Sequence, residues 1–443
     1  MMDSALLSQS YSEHLAQLEH GYGEVLTRNG LDAIVIHSGS PKLRTTFDDQ
    51  YWPLRVTPHF QHWLPLVAAD CALVVRAGHR PKLVWLREQN FWEKPAPLEH
   101  DFWQSGFETV HVSHRAEAQA YLPKTGAVFV GEDAQCAAEW GFNQAEFSPA
   151  ALLQQLDALR TRKTAYEELC LAEANRRAAI GHEALAQAFR SGDASELDLH
   201  LSYLRATAQD DPETPYKNIV ALGANAATLH HISYGRTRAA TAAQSLLVDA
   251  GASFLGYCSD ITRTYVKGTT AAASAFAGLI AGVERLQQQL CSEIRIDSPY
   301  EALHDRSHAY VAEVLRETGV VKLSADEAVS SGVTRAFFPH GLGHSLGLQC
   351  HDVGCASLKP RPDNPFLRNT SNIAERQCFT IEPGIYFIDS LLEKLQQGTH
   401  AASVDWRLVS ELSKLGGVRI EDDILVVGGS NITRNLTRQF LPA

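Results

Sequence analysis

The stretch that decides how this chain is read is Phe338-Pro339-His340-Gly341-Leu342-Gly343-His344-Ser345-Leu346-Gly347-Leu348-Gln349-Cys350-His351-Asp352. Three histidines, His340, His344 and His351, fall at intervals of four and seven residues among glycines and apolar side chains. Imidazole is the one side chain whose ordinary titration lies near neutral pH, and it is the commonest metal ligand. One such histidine would read as a buried ring bonded to backbone carbonyls. Three in a single apolar turn call for carboxylates to join them.

The carboxylates are present, each in its own local pattern. Leu246-Leu247-Val248-Asp249-Ala250-Gly251 reads as a buried strand ending in an acid, and Asp260 follows in Cys258-Ser259-Asp260-Ile261-Thr262-Arg263-Thr264. Downstream come Phe379-Thr380-Ile381-Glu382-Pro383-Gly384 and Gly417-Val418-Arg419-Ile420-Glu421-Asp422-Asp423. The candidate ligand set in chain order is Asp249, Asp260, His344, Glu382 and Glu421. Four oxygen donors and one imidazole suit hard or borderline divalent ions such as manganese, cobalt, zinc or ferrous iron. Four carboxylates in an apolar setting are very costly unless cations neutralise them. One divalent ion leaves the set at minus two and a pair balances it, so the charge count points to a dinuclear site.

Together these words resemble the pita-bread metallopeptidases, and along the whole chain the bacterial Xaa-Pro dipeptidases (prolidases), including relatives that hydrolyse organophosphates. The carrying motifs are Leu229-His230, Asp249-Ala250-Gly251, Asp260 to Thr264, His340-Gly-Leu-Gly-His344, His351-Asp352, Glu382-Pro383-Gly384 and Arg419-Ile420-Glu421-Asp422, with Phe47-Asp48-Asp49-Gln50-Tyr51-Trp52-Pro53 in the N-terminal half. The resemblance implies an α/β (α+β) chain, with a creatinase-like α/β domain preceding a pita-bread catalytic domain. It implies two divalent metal ions per subunit, manganese first and cobalt or zinc next. Asp260 and Glu421 would bridge them, Asp249 would hold one, and His344 and Glu382 the other. A water or hydroxide between the ions would be the nucleophile, because metals lower its pKa. Glu382 would double as general base. His351 would donate to the scissile carbonyl, and His340 would help hold the substrate carboxylate. His230 and Tyr216 would line the substrate pocket. From spacing alone, His231 competes with His230 for that place. Arg419 either meets the substrate carboxylate or pairs with an acid. Asp48, on an N-terminal loop, would limit substrate length from the other subunit of a homodimer.

The rest of the chain bounds this reading. Its 443 residues imply more than one domain, and a net charge of −12 without basic runs speaks against nucleic acid as a partner. Met1 to Tyr22 lacks the pattern of a signal peptide, and no stretch has the apolar length of a membrane span, so a cytoplasmic protein is expected. The eight cysteines, at 71, 136, 170, 258, 291, 350, 355 and 378, form no Cys-x-x-Cys pair and read as reduced thiols. Cys350 reads as a small apolar pocket residue.

Helical spacing runs from Ser4 to Arg28 and stops at Asn29-Gly30. Strand-length apolar runs follow at Ala33–Ile36, Ala72–Val75, Leu83–Leu86, Val110–Val112 and Ala127–Val130. Ala150 to Leu159 reads as a connecting helix. Thr164 and Glu167 form a capping box opening a long helix to about Arg190. The expected domains are 1–160 and 161–443. In the second, a helix is expected over Ser195–Gln209, a short strand over Tyr216–Leu222, and a hairpin of strands at 246–250 and 254–266 carrying both aspartates. Helices are expected over Ala271–Gln289 and Glu301–Thr318, and Gly354 to Glu375, rich in Pro, Asn and Arg, reads as a surface loop.

The function expected is hydrolysis of dipeptides with C-terminal proline, with phosphotriester hydrolysis as a side activity. Aminopeptidase P activity on longer peptides is the alternative within the enzyme class. A non-catalytic pita-bread binding module is the alternative outside it, disfavoured because all five ligand positions are filled.

Overall fold

The computed structural model describes residues 4–87, 91–92, 98, 100–237, 245–354, 358–429 and 432–442, so Cys355 lies outside the described residues. The chain divides into two compact units, Met1–Leu169 and Cys170–Ala443.

The first unit opens with a helix over Ser4–Asn29, closed by Gly30 at φ +63°, the left-handed stop the sequence signals. Its five strands, Ala33–His37, Ala72–Val75, Lys82–Leu86, Glu108–Val112 and Ala127–Val130, form one mixed sheet. Ala33–His37 pairs antiparallel with Ala72–Val75 and parallel with Ala127–Val130. These three strands are buried along their length, which is why they read as unbroken apolar runs. Near the unit's end the capping box forms as expected. Thr164 N donates to Glu167 Oε2 at 2.8 Å, Glu167 N to Thr164 Oγ1 at 3.4 Å, and the helix runs over Ala165–Ser191.

In the second unit Ser245–Asp249 is the middle strand of three, antiparallel to Ile219–Leu222 and to Thr262–Val266, with Thr262 opposite Asp249. Alternation decides its burial. Leu247 enters the core with Phe276, Leu279 and Val283 of the helix Ala271–Ser292 and Val311 of the helix Tyr300–Glu317. Leu246 and Val248 pack on the other face with Leu199 and Tyr203 of the helix Glu196–Thr207. A second sheet joins Cys378–Ile381, Asp422–Val426 and Thr433–Asn435, and Gly384–Tyr386 pairs with Gly417–Arg419. Single bridges, Thr262 to Glu421 and Ser345 to Phe379, tie these pieces together where the site lies.

Three expectations change. The strand expected over 254–266 is broken into Ser253–Phe254, Tyr257–Cys258 and Thr262–Val266, so Asp260 sits on the connection and not on a strand. The small hairpin turns through Leu255 and Gly256, both at positive φ, as a two-residue turn demands. The strand expected from Tyr216 begins only at Ile219. Of the segment expected as a surface loop, residues 358–375 are irregular but not merely superficial, and 355–357 lie outside the described residues. Leu367 and Ile373 enter the core, and Asn364 is buried, donating to Glu301 and Asp305 at 2.8 and 3.1 Å. Polar composition signalled a loop and could not reveal that its polar groups find buried partners.

Candidate metal centre

Two local constructions bring the donors together. In the first, the histidine turn is laced to the strand Cys378–Ile381. Thr380 N donates to His344 O at 2.9 Å, Leu346 N to Cys378 O at 3.0 Å, and Glu382 N to Leu342 O at 2.9 Å. Gly343 makes this approach possible, since a Cβ there would fall 2.2 Å from Thr380 O. The result sets His344 Nε2 at 3.6 Å from Glu382 Oε1. In the second, Ala250 N bonds Ile261 O at 3.0 Å, folding the two aspartate words on each other. A Cβ on Gly251 would fall 2.0 Å from Ser259 O.

Asp260, His344 and Glu421, all buried, each offer a ligand atom within 4.8 Å of the other two. Asp260 Oδ2 lies 3.4 Å from His344 Nε2. Thr262 donates to Glu421 Oε2 at 2.6 Å. Asp249 reaches the group through Arg419, whose Nη2 lies 2.5 Å from Asp249 Oδ2, while Arg419 Nε donates to the same Thr262 hydroxyl at 3.1 Å. Arg419 and Glu421 thus share the face that their two-residue spacing implies.

The other expected residues fall as follows. His340 Nδ1 lies 2.8 Å from Gly341 O and its Nε2 2.8 Å from Tyr386 Oη, which also accepts from Arg419 Nη1 at 3.0 Å. This chain fixes the tautomer with the proton on Nδ1 and engages both ring nitrogens. Tyr216 donates to Asp260 Oδ1 at 2.6 Å, so in this structure it orients a donor. His351 is exposed, its ring edge-on to that of His344 with centroids 4.4 Å apart. His230 is exposed and lies within electrostatic reach of His340 and His351. Its neighbour His231 is tied instead to Glu196 Oε2 at 2.9 Å, which separates the two. Asp48 lies in the other unit, exposed on a loop closed by Arg44 N to Gln50 O at 2.9 Å. The apolar reading of Cys350 is corrected, because its thiol lies 2.9 Å from Asp260 Oδ2.

The electrostatics of the cluster bear on what it can hold. Burial, reinforced by Asp260, pushes the carboxyl of Asp249 up against the pull of Arg419. Burial and the neighbouring acids Asp260, Glu382 and Asp249 push Glu421 well up, and burial does the same to Glu382. Asp260 is the exception. Burial works against its charge, but the bond and charge of His344 outweigh it and hold the carboxyl low. Burial likewise opposes charge on His344, yet Asp260 and Glu382 raise its pKa to about 9. Burial drives His340 down to about 3 and His351 to about 4, so both rings are neutral at pH 7. Four carboxylates therefore face one guanidinium and one imidazolium, and Asp249 Oδ1 is buried without a hydrogen-bond partner. Crowded oxygen donors beside one imidazole fit hard or borderline divalent cations, which would also displace the His344 proton.

Residues 170–427 match the model of metallopeptidase family M24, and residues 9–158 match that of the Xaa-Pro dipeptidase N-terminal domain. The chain belongs to metallopeptidase family M24. It is 39% identical to the Xaa-Pro dipeptidase of Pseudoalteromonas atlantica, over 98% of this chain and 99% of that one. To the Xaa-Pro dipeptidase of Colwellia psychrerythraea it is 38% identical, over 99% and 98%. Among solved structures it resembles proline aminopeptidase P II from Yersinia pestis, with a TM-score of 0.73 at 20% identity over 98% of this chain and 96% of that one. Aminopeptidase PepP of Pseudomonas aeruginosa gives 0.72 at 20% identity over 98% and 95%. At that identity the likeness speaks for the fold alone. The M24 family is the one the dispersed acid and histidine motifs led us to expect.

Two side chains of this M24 centre escaped the sequence reading. Thr262, which links Glu421 to Arg419, carried a signal in its two-residue spacing from Asp260. Tyr386, which joins His340 to Arg419, carried none, because its place depends on the pairing of Gly384–Tyr386 with Gly417–Arg419.

Proposed function

We propose that this protein is a metal-dependent dipeptidase that cleaves the bond before a C-terminal proline. The observation that carries the reading is the convergence of Asp260, His344 and Glu421 within 4.8 Å, with Glu382 beside them, in a chain matched over 98% of its length by an Xaa-Pro dipeptidase. Asp249, Asp260, His344, Glu382 and Glu421 would hold two divalent ions, manganese by preference and cobalt or zinc in its place. Such ions supply a Lewis acid for the scissile carbonyl and acidify a water at neutral pH.

The chain's own residues do the rest. Glu382, kept protonatable by burial, takes a proton from the attacking water and returns it to the leaving nitrogen. His351, neutral and solvent-facing, donates to the oxygen on which negative charge develops. Tyr216 holds Asp260 in orientation. The chain Arg419–Tyr386–His340 keeps Asp249 paired and sets the His340 ring facing the substrate's carboxylate end, and His230 lines the same mouth. The bond before proline lacks an N–H, so enzymes that must grip that hydrogen handle it badly. A site that polarises the carbonyl directly has no need of it.

The same reading includes a cytoplasmic homodimer in which Asp48 limits substrate length, and phosphotriester hydrolysis as a side activity. No disulfide joins the seven cysteines among the described residues, in keeping with a reducing compartment. Turnover of Xaa-Pro dipeptides against Xaa-Pro-Yaa tripeptides, after reconstitution with manganese, cobalt or zinc, tests the proposal. We expect metal-dependent cleavage of dipeptides only. Preference for tripeptides would instead make the protein an aminopeptidase P.

A further inference from the structure

The centre carries a second donor set overlapping the first. His344, Cys350 and His351 each present a ligand atom, and these three also lie within 4.8 Å of one another. Cys350 Sγ points into the centre, 2.9 Å from Asp260 Oδ2, the same oxygen that stands 3.4 Å from His344 Nε2. The His344 and His351 rings are perpendicular within 13°, at an interplanar angle of 77°, so their edges can converge on a point between them. Carboxylate oxygens are hard donors, whereas a thiolate with two imidazoles favours zinc and its softer congeners. The ligand atoms of a tetrahedral zinc with sulfur and nitrogen donors lie about 3.5 Å apart, so small side-chain rotations close this set. Cys350 is half-buried and His351 exposed, which leaves an ion a route from solvent.

We propose that His344, Cys350 and His351 form a soft face by which the centre captures a strongly thiophilic divalent ion, cadmium, at the expense of productive loading. The inference rests on reading His344 as a ligand of the carboxylate set, because one imidazole nitrogen cannot serve both. On capture the Cys350 S–H bond breaks, its proton passes to solvent, and a metal–sulfur bond forms with no change of oxidation state. His351 is withdrawn from the substrate carbonyl at the same time. Cadmium therefore inhibits this enzyme through a sulfur that neither the proposed hydrolysis nor the carboxylate set requires.

The test titrates cadmium into the metal-free full-length protein while following near-ultraviolet sulfur-to-cadmium charge-transfer absorption. In parallel, it measures dipeptide turnover by the manganese-loaded protein as cadmium is added. The wild type should develop the band with one equivalent of cadmium, and Cys350→Val and Cys350→Ser should both lack it. The cadmium concentration that halves turnover should rise at least about tenfold in both variants. An undiminished band in the variants, or unchanged half-inhibition, overturns the proposal. If manganese supports no turnover in the wild type while the Cys350-dependent band persists, the peptidase reading fails and the soft face stands.

Discussion

Glu421 and Asp422 are adjacent in sequence and both wholly buried, yet they are held in opposite ways. Asp422 receives Arg263 Nη2 at 2.8 Å, Arg438 Nε at 2.7 Å, Asn435 at 2.8 Å and Gln287 at 3.0 Å. Burial raises its carboxyl, but the two guanidiniums outweigh that and keep it ionised. Glu421 takes a hydrogen bond from the Thr262 hydroxyl and otherwise faces Asp260, Glu382 and Asp249, whose charge adds to burial and outweighs the pull of Arg419, so its carboxyl is driven up. One residue along the chain reverses the side-chain direction and, with it, the role. A buried acid enclosed by arginines is structural. A buried acid enclosed by acids is costly to the fold unless a cation joins it, and that cost marks a site.

The contrast can be broken most sharply at Glu421. Glu421→Gln should lower manganese-supported dipeptide turnover by about a thousandfold or more, since on the proposed assignment Glu421 would be one of the metal-holding carboxylates. Urea unfolding of the metal-free variant should show stability equal to or above wild type, because the crowding of carboxylates is relieved. Equal turnover, or a large loss of metal-free stability, would erase the distinction from Asp422.

The neighbouring change should do the reverse. Asp422→Asn leaves Arg263 and Arg438 buried against a neutral amide, which should cost about 3–5 kcal/mol in urea unfolding of the metal-free protein. A variant that unfolds at the wild-type midpoint would show that the arginine pairs contribute nothing.

Tyr216→Phe sharpens the comparison on the site's side. Losing the bond to Asp260 Oδ1 should reduce turnover about tenfold, the value of one hydrogen bond to a charged group, with the unfolding midpoint nearly unchanged. A fall in stability with full turnover would place Tyr216 with the structural network instead.

The smallest effect concerns buried groups kept neutral. Burial lowers His304 to about 4 and His308 to about 3, and their rings stack edge-on with centroids 5.0 Å apart. With folded pKa values depressed, their contribution is intact above the unfolded value near 6.5 and is lost as pH falls from there towards 4 and 3. Stability should drop by about 1 kcal/mol per histidine between pH 6.5 and 5.5. His308→Asn should reduce that slope in pH-dependent urea unfolding, and an unchanged slope would assign the effect elsewhere.

Much of this was legible in the sequence where the cause is local. The cap at Thr164, the stop at Gly30, the buried run ending at Asp249 and the acids and histidines of the centre each announce themselves within a few residues. What depends on distant pairing does not. Asp260 lies off its expected strand, its N–H bonded to the distant side chain of Asp423 and not to a strand carbonyl. Tyr386 reaches His340 only through its ribbon with Gly417–Arg419. The thiol of Cys350 looks apolar until the fold sets it against Asp260, and Asn364 looks like surface until Glu301 and Asp305 are beside it. That His231, one position from His230, is tied to Glu196 was likewise invisible to spacing.

The most direct test of the central claim is the number of manganese ions held per chain, measured by equilibrium dialysis of metal-free protein. We expect a pair of ions in the wild type, the same pair in Asp422→Asn, and fewer in Glu421→Gln. A wild type that binds none, or a Glu421→Gln variant that holds the pair as tightly as wild type, would contradict the account.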